Sequence, residues 1–158
     1  MRFAILAPIA LVMLVTACSS SSPAAGFSVS SANLDASYAC PKGATNSPYT
    51  IHGTVQLHNP TTRTVTIEAV RADMTLAAVK GAWLEKLGDV YRVDSASFGP
   101  GIVNPGSTLT MNVGIPSACT NGKTSTAVSY GDYSVLLRVV TTEGTYSVGA
   151  SHDHRITT

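Results

Sequence analysis

Hydrophobic and polar residues alternate with a period of two along much of the chain. In residues 49–59, Ile51, Val55 and Leu57 share one face, and polar side chains occupy the other. Successive side chains of a β-strand point to opposite faces of a sheet, so this pattern predicts an antiparallel strand with one exposed face. A similar alternation occurs in residues 107–115 and 131–142, and strands are also predicted for residues 33–39, 90–93 and 145–156.

A seventh stretch, residues 64–79, alternates in two different phases. Ile67 belongs to a hydrophobic set at odd positions, whereas Val70 and Met74 belong to a set at even positions. An extra residue in one strand of a pair produces such a change of face. The sequence therefore predicts a β-bulge near residues 69–70.

Turn-forming residues separate these stretches, and the clearest are Asn59-Pro60, Gly99-Pro100-Gly101, Asn104-Pro105-Gly106 and Glu143-Gly144. Residues 80–88 have a helical pattern but are too few for more than a turn or two. We therefore expect at most one short helix, near residues 82–88. About seven strands without interspersed helices predict an all-β fold, an antiparallel β-sandwich.

Two stretches of the sequence resemble immunoglobulin-like (Ig-like) domains. Residues 130–135, YGDYSV, are similar to the tyrosine corner of those domains, and residues 55–67 are similar to hairpins of small bacterial Ig-like and fibronectin-III-like envelope modules. The resemblance implies an Ig-like β-sandwich over residues 29–158, with the Tyr133 hydroxyl bonded to backbone near the start of its strand. Antibody-type domains carry a cysteine two residues after this tyrosine, where Val135 stands here.

The beginning of the chain does not alternate. Residues 3–17 form an uncharged and mostly apolar run, which follows Arg2 and ends at Cys18 and four serines. A helix that spans a bilayer needs about 20 apolar residues, and this run is shorter. A positive charge followed by an apolar run of this length predicts a secretory leader over residues 1–17.

Val15-Thr16-Ala17-Cys18 resembles the bacterial lipobox, where a prolipoprotein is cleaved before a lipid-modified cysteine. The resemblance implies that Cys18 carries the lipid and that residues 18–28 form a flexible tether. Several acyl chains on one residue hold a protein firmly on a membrane. It also implies an exported, membrane-anchored lipoprotein of the cell envelope, on the periplasmic face or the cell surface. A non-lipidated signal peptide and a leader retained as an anchor are the alternatives.

Cys40 and Cys119 remain when Cys18 is assigned to the lipid. In an exported protein, two remaining cysteines predict one disulfide. A metal site or a redox pair is the alternative, but the sequence has no C-x-x-C motif. Since Cys119 precedes the tyrosine corner, we expect this disulfide to join the first strand to a loop rather than to connect the two sheets.

Charge and motifs exclude several classes of function. Lys and Arg total 10 and Asp and Glu total 9, and Arg2 lies in the leader, so the charges of the remainder balance. A nucleic-acid binder needs a basic patch, and we therefore expect no nucleic-acid partner. The sequence has neither a G-x-S-x-G nucleophile elbow nor a phosphate-binding loop, and we expect no catalytic activity and no cofactor.

His152 and His154 are the remaining candidates for chemistry. Two residues apart on a strand, their side chains would leave the same face and, with a third ligand, could bind Zn²⁺ or Cu²⁺. A metal-binding envelope lipoprotein is therefore the alternative function. The main hypothesis is a lipid-anchored envelope protein whose β-sandwich is a non-catalytic binding or assembly module. Its expected partners are the membrane, through the lipid, and another envelope protein or a cell-wall component.

Overall fold

The computed structural model describes residues 26–122 and 128–158. Within these ranges the protein is all-β and has no helix; its eleven strands are β1 Ser28–Leu34, β2 Ser37–Ala39, β3 Ser47–Asn59, β4 Val65–Lys80, β5 Val90–Val93, β6 Ser97–Gly99, β7 Ile102–Val103, β8 Ser107–Cys119, β9 Tyr130–Thr141, β10 Gly144–Gly149 and β11 His154–Thr157. This part of the chain thus offers no helix that could span a membrane. The predicted leader 1–17, Cys18 and the tether up to residue 25 lie outside the described residues.

The strands form two sheets that pack face to face. The smaller sheet has the order β1-β3-β8-β6, and the larger has the order β2-β11-β9-β4-β5, with β10 paired to β9 and β7 to β4. Most pairs are antiparallel, and β2 pairs with β11 in parallel. The predicted fold class, an antiparallel Ig-like β-sandwich, is confirmed.

The hydrophobic alternation marks the inner faces of both sheets. Ile51, Val55 and Leu57 of β3 are fully buried, as the pattern predicted. The same holds for β8 and β9, whose alternate residues complete the core: Met111, Val113, Ile115, Tyr133, Val135, Leu137 and Val139. Burial of this apolar surface is the main stabilising contribution to the fold.

β4 contains the predicted bulge and a second one. Its register against β9 shifts between Ile67 and Ala69, next to the predicted position, and again between Leu76 and Ala78. Two extra residues in a long strand increase its twist and bend it. The second bulge directs the end of β4 toward the loop 81–89.

The structure has eleven strands, whereas the sequence predicted seven. Two of the predicted strands are each divided into two, and two short strands were not predicted. The predicted strand 33–39 is divided at Asp35–Ala36, where the chain crosses from the smaller sheet (β1) to the larger sheet (β2). The predicted strand 145–156 is divided into β10 and β11, which pair with different halves of β9. β6 and β7 have only three and two residues, too few for a periodic pattern.

The segment with a helical pattern is a loop. Residues 81–89 form bends and turns, and Asp89 holds the loop by accepting a hydrogen bond from the backbone N–H of Lys86. Gly88 N–H also donates to Leu76 C=O at 2.9 Å, so the loop returns directly onto β4. A helix of two turns would need its own apolar face on the core, whereas Leu84 and Leu87 are exposed here.

Cys40 and Cys119 form the predicted disulfide, with a Cα–Cα distance of 6.0 Å. Cys40 directly follows β2 in the larger sheet, and Cys119 is the last residue of β8 in the smaller sheet. The disulfide therefore connects the two sheets, and the expectation that it would join the first strand to a loop was wrong. The error arose because β8 continues four residues beyond the predicted strand, through Cys119.

The smaller sheet narrows at the end that carries this disulfide. β1 pairs with β3 no further than Gly53, and β6 pairs with β8 no further than Gly114. Beyond these residues, of the described strands, only β3 and β8 continue, as far as the pair Ser47 and Cys119. At the same end the larger sheet still has four strands, β2, β11, β9 and β4. Two strands of the smaller sheet therefore face four strands of the larger sheet.

Candidate functional site

The side chain of Trp83 covers part of the larger sheet where the smaller sheet narrows. Trp83 lies in the loop 81–89, and its indole ring packs on the backbone of Gly131 in β9. A Cβ atom at Gly131 would lie 2.6 Å from Cε2 and 2.8 Å from Nε1 of the ring, which is too close for any side chain. The position of Trp83 therefore requires glycine at residue 131.

A hydrogen bond fixes the orientation of the indole ring. Trp83 Nε1–H donates to the hydroxyl oxygen of Tyr133 at 3.1 Å. Burial raises the pKa of Tyr133 to about 12, against the opposing effect of the Trp83 bond, and the nearby Glu85 carboxylate raises it further. The phenol is therefore neutral at physiological pH. Its hydrogen-bond partner is a side chain, so the expectation that Tyr133 would bond to backbone as a tyrosine corner was wrong.

A cavity of about 490 Å³ opens beside Trp83 at this end of the sandwich. Its walls are the loop 81–89, the end of β8 with the residues that follow it, and the inner face of the larger sheet. The side chains that give the cavity its chemical character are Trp83, Leu84, Glu85, Ala118, Cys119 and Tyr133. We call this space the Trp83 cavity.

The wall of the cavity opposite the loop is held by several cross-links. Cys119 carries the disulfide, and Asn121, which also lines the cavity, is buried. Asn121 Nδ2–H donates to Cys40 C=O at 2.9 Å, and its backbone N–H donates to Ala44 C=O at 2.8 Å. This wall is thus tied to both sheets, and the cavity is preformed on that side.

The lining of the Trp83 cavity combines an apolar surface with few ionisable groups. Among the described lining residues, Glu85 is the only ionisable carboxylate, no histidine is present, and Cys119 is held in the disulfide. An apolar wall with one carboxylate and several hydroxyl and amide groups matches the composition of ligand-binding pockets.

His154 is buried between the sheets, and both of its ring nitrogens have partners. Nδ1 lies 2.6 Å from Asp35 C=O, which only accepts, so Nδ1 carries the proton and donates. Nε2, 3.2 Å from the Tyr49 hydroxyl, then accepts from it. Tyr49 in turn stacks on Tyr38 with 3.9 Å between ring centroids. His154 therefore supports the crossing from β1 to β2 rather than facing solvent.

His152 lies on the surface in the bend between β10 and β11, with Nε2 3.1 Å from Asn33 Oδ1. Because the strand is interrupted here, His152 and His154 do not leave one face, and that expectation was wrong. In residues 26–122 and 128–158, no group of three or more His, Cys, Asp or Glu side chains is arranged to hold a metal ion. Within those residues, the geometry brings no third ligand to either histidine.

Sequence analysis missed this cavity because its parts lie far apart in the chain. Trp83 contacts residues about fifty positions further on, and nothing local to residues 81–89 indicates those contacts. The local sequence shows only a single tryptophan and two leucines between Gly81 and Gly88, and this pattern predicts a short helix. Trp83 is partly exposed at the cavity and packs against the edge of the core.

Comparisons with known proteins assign no family: no family model and no curated protein matches the chain. The fold is similar to the solution structure of a late embryogenesis abundant (LEA) protein, with 15% identity over 84% of this chain and 70% of that one, at a TM-score of 0.43. It is also similar to the ASH/PapD-like domain 7 of human CEP192, with 16% identity over 95% of each chain and a TM-score of 0.33. Neither similarity is close enough to inform the site.

Replacing Gly131 by alanine is expected to displace Trp83. The added Cβ would overlap the indole ring, so the Trp83–Tyr133 bond is lost and the free energy of unfolding falls by about 1–3 kcal/mol. Urea unfolding measures the loss, and a red shift of tryptophan emission reports the displaced ring, since Trp83 is the only tryptophan. Gly149→Ala is the control, because its Cβ would meet no atom within 4 Å. Unchanged emission in Gly131→Ala would contradict the packing.

The stability of the protein is expected to fall below about pH 6.5 through His154. Burial lowers the pKa of His154, so the unfolded chain takes up its proton first as the pH falls. The free energy of unfolding therefore decreases from about pH 6.5 down to the lowered pKa of the folded state. Urea unfolding at about pH 7.5 and about pH 5.5, on either side of the ordinary histidine pKa, measures this slope.

His154→Gln should make that slope smaller, whatever its effect on stability at neutral pH. Equal slopes in the original protein and in His154→Gln would show that His154 does not carry the pH dependence.

Proposed function

We propose that this protein is a lipid-anchored protein of the cell envelope whose Ig-like sandwich is a non-catalytic binding module, with the Trp83 cavity as its binding site. The observation that carries the proposal is the position of the cavity relative to the start of the domain. The lipid on Cys18 attaches the chain to the membrane, and the segment up to Gly26 links it to β1.

The chain enters the sandwich at the end opposite the cavity. Ser28, the first residue of β1, pairs with His58, whereas the cavity lies beyond Ser47 at the other end of β3. At about 3.3 Å per residue, these two ends of β3 are roughly 35 Å apart. A domain tethered at its N-terminus therefore holds the Trp83 cavity away from the membrane, where a ligand of the envelope can reach it.

The disulfide and the cavity lining also support this proposal. Disulfides form and persist outside the reducing cytosol, in agreement with export of the chain. The lining combines an indole, a rim leucine that is 79% exposed, and one carboxylate, and it has no catalytic pair among the described residues. A cavity with a mostly apolar wall and a few polar groups is typical of ligand-binding sites.

Replacing Cys18 by alanine is expected to release the protein from the membrane. Without the thiol no acyl chain can be attached, so label from a metabolically incorporated fatty acid disappears and the protein leaves the membrane fraction. Bacterial cells expressing each variant are fractionated and probed for label and for the protein. Ser19→Ala, one residue further on, should keep both the label and the membrane location. Label that persists in Cys18→Ala would refute the anchor.

The Trp83 cavity is expected to bind dansyl amide, a neutral apolar probe, with a dissociation constant below about 1 mM. Bound probe lies near Trp83, so excitation of the tryptophan produces dansyl emission that saturates with probe concentration. Leu84→Ser should weaken binding, because Leu84 lies on the cavity rim. Leu136→Ser is the matched control, since Leu136 is also exposed but lies on the outer face of β9. Equal effects of the two substitutions would place the probe elsewhere.

A further inference from the structure

At the edge of β8 beside the Trp83 cavity, several backbone groups have no backbone partner among residues 26–122 and 128–158. Gly114 C=O accepts a hydrogen bond from the Ser97 hydroxyl, so its backbone faces β6. Backbone groups of alternate residues in an antiparallel strand point to the same side. β6 lies along one side of β8 as far as Gly114. The backbone groups of Pro116, Ala118 and Thr120 therefore point to that same side, beyond the end of β6.

No described strand reaches this part of β8. Ser97 is the residue of β6 that pairs with Gly114, and the residue before it, Ala96, donates its N–H to Val70 C=O in the larger sheet. In the part of the chain that the structure describes, no backbone group bonds to the carbonyls of Pro116 and Ala118 or to the N–H groups of Ala118 and Thr120. Two acceptors and two donors thus form an open edge.

This open edge and the Trp83 cavity are adjacent. Ala118 and Thr120 line the cavity, and Trp83 and Glu85 line it from the loop 81–89. A strand paired with residues 116–120 would extend the narrowed smaller sheet over the larger one. Every second side chain of that strand would then point inward, into the cavity. The edge and the cavity together provide both backbone pairing and a side-chain pocket.

The charge of the cavity selects among possible peptides. Among the described lining residues, Glu85 is the only charged one, and no Lys or Arg is present. An acidic segment would be repelled, whereas a Lys or Arg side chain beside Glu85 would be attracted. The apolar surfaces of Trp83 and Leu84 favour an aromatic or aliphatic neighbour two residues away on the same face of the incoming strand.

We propose that residues 116–120, the end of β8 and the residue after it, bind an extended peptide segment of a partner protein, which adds a strand to the smaller sheet and places an apolar side chain and a basic side chain in the Trp83 cavity. This inference rests on the proposed function of the cavity and names the chemistry of its ligand. Strand addition of this kind derives affinity from backbone hydrogen bonds and specificity from alternate side chains.

Two other places where a strand could be added are closed by the protein's own chain. β10 is followed by Ala150, which bridges to Ala32 of β1, and Ser151 N–H donates to Ala32 C=O. On the other side of β3, Asp35 pairs with the backbone of His52 through both its N–H and its carboxylate. Closure by the protein's own chain blocks strand addition there.

The experiment uses the full chain in detergent and the peptide acetyl-TVTFTK-amide, whose alternate residues are apolar, aromatic and basic. Emission of Trp83 reports binding, since the peptide has no tryptophan and Trp83 is the only one in the chain. Two further peptides carry N-methyl groups on alternate amides, one set in each phase. In the bound strand, only one of the two sets of alternate amides points to β8. The peptide with N-methyl groups on that set loses its hydrogen bonds to the edge, so it should bind about tenfold more weakly than the other methylated peptide.

Two variants test the same contacts from the side of the protein. Ala118→Pro removes one N–H of the open edge. The strand already contains a proline at Pro116, which has the same orientation as residue 118, so the substitution should leave the strand in place and weaken peptide binding several-fold. Glu85→Gln should weaken acetyl-TVTFTK-amide about threefold but leave acetyl-TVTFTQ-amide unchanged. A common loss for both peptides would assign Glu85 a merely structural role and overturn its part in the proposal.

Equal affinities of the two methylated peptides would overturn strand addition. If no peptide binds while dansyl amide still does, this inference fails and the cavity keeps its proposed function. If neither binds, and Cys18→Ala still releases the protein, the binding site is refuted and the anchor stands.

Discussion

The smaller sheet of the sandwich is too narrow to cover the larger sheet at one end. Two strands, β3 and β8, face four at that end, and the inner face of the larger sheet must be shielded from water by other means. Aromatic side chains supply this cover on both flanks. Trp83 covers the β8 side, and the stacked rings of Tyr38 and Tyr49 with buried His154 cover the β3 side.

The two flanks are covered with different completeness. On the β3 side, the stack is worth about 1 kcal/mol beyond its burial, and both nitrogens of His154 are bonded. On the β8 side, a single indole held by Tyr133 and Gly131 leaves the Trp83 cavity and an open strand edge. The candidate site is therefore the incompletely covered flank of an otherwise closed sandwich.

Period-two alternation was enough to predict the long strands and the fold class. It located the inner face of β3 and the first bulge of β4, because both depend on residues that are neighbours in sequence. It failed for contacts between distant residues. The crossing at Asp35–Ala36 depends on His154, and the packing of Trp83 depends on the absence of a side chain at Gly131. The cysteines show the same limit: counting predicted that Cys40 and Cys119 pair, but the elements they connect depended on where β8 ends.

Main-chain hydrogen bonds couple the two sheets unevenly along the sandwich. Ser151 and Ala32 join them on one side, and Ala96 and Val70 join them on the other, near the middle of the domain. Beyond Ala96 toward the cavity, the described cross-links are the disulfide and the bonds that Asn121 makes to Cys40 and Ala44. The wall that carries Cys119 is therefore held to the larger sheet by a covalent bond as well as by hydrogen bonds. A reducing agent would remove the covalent part of this support and leave only the hydrogen bonds.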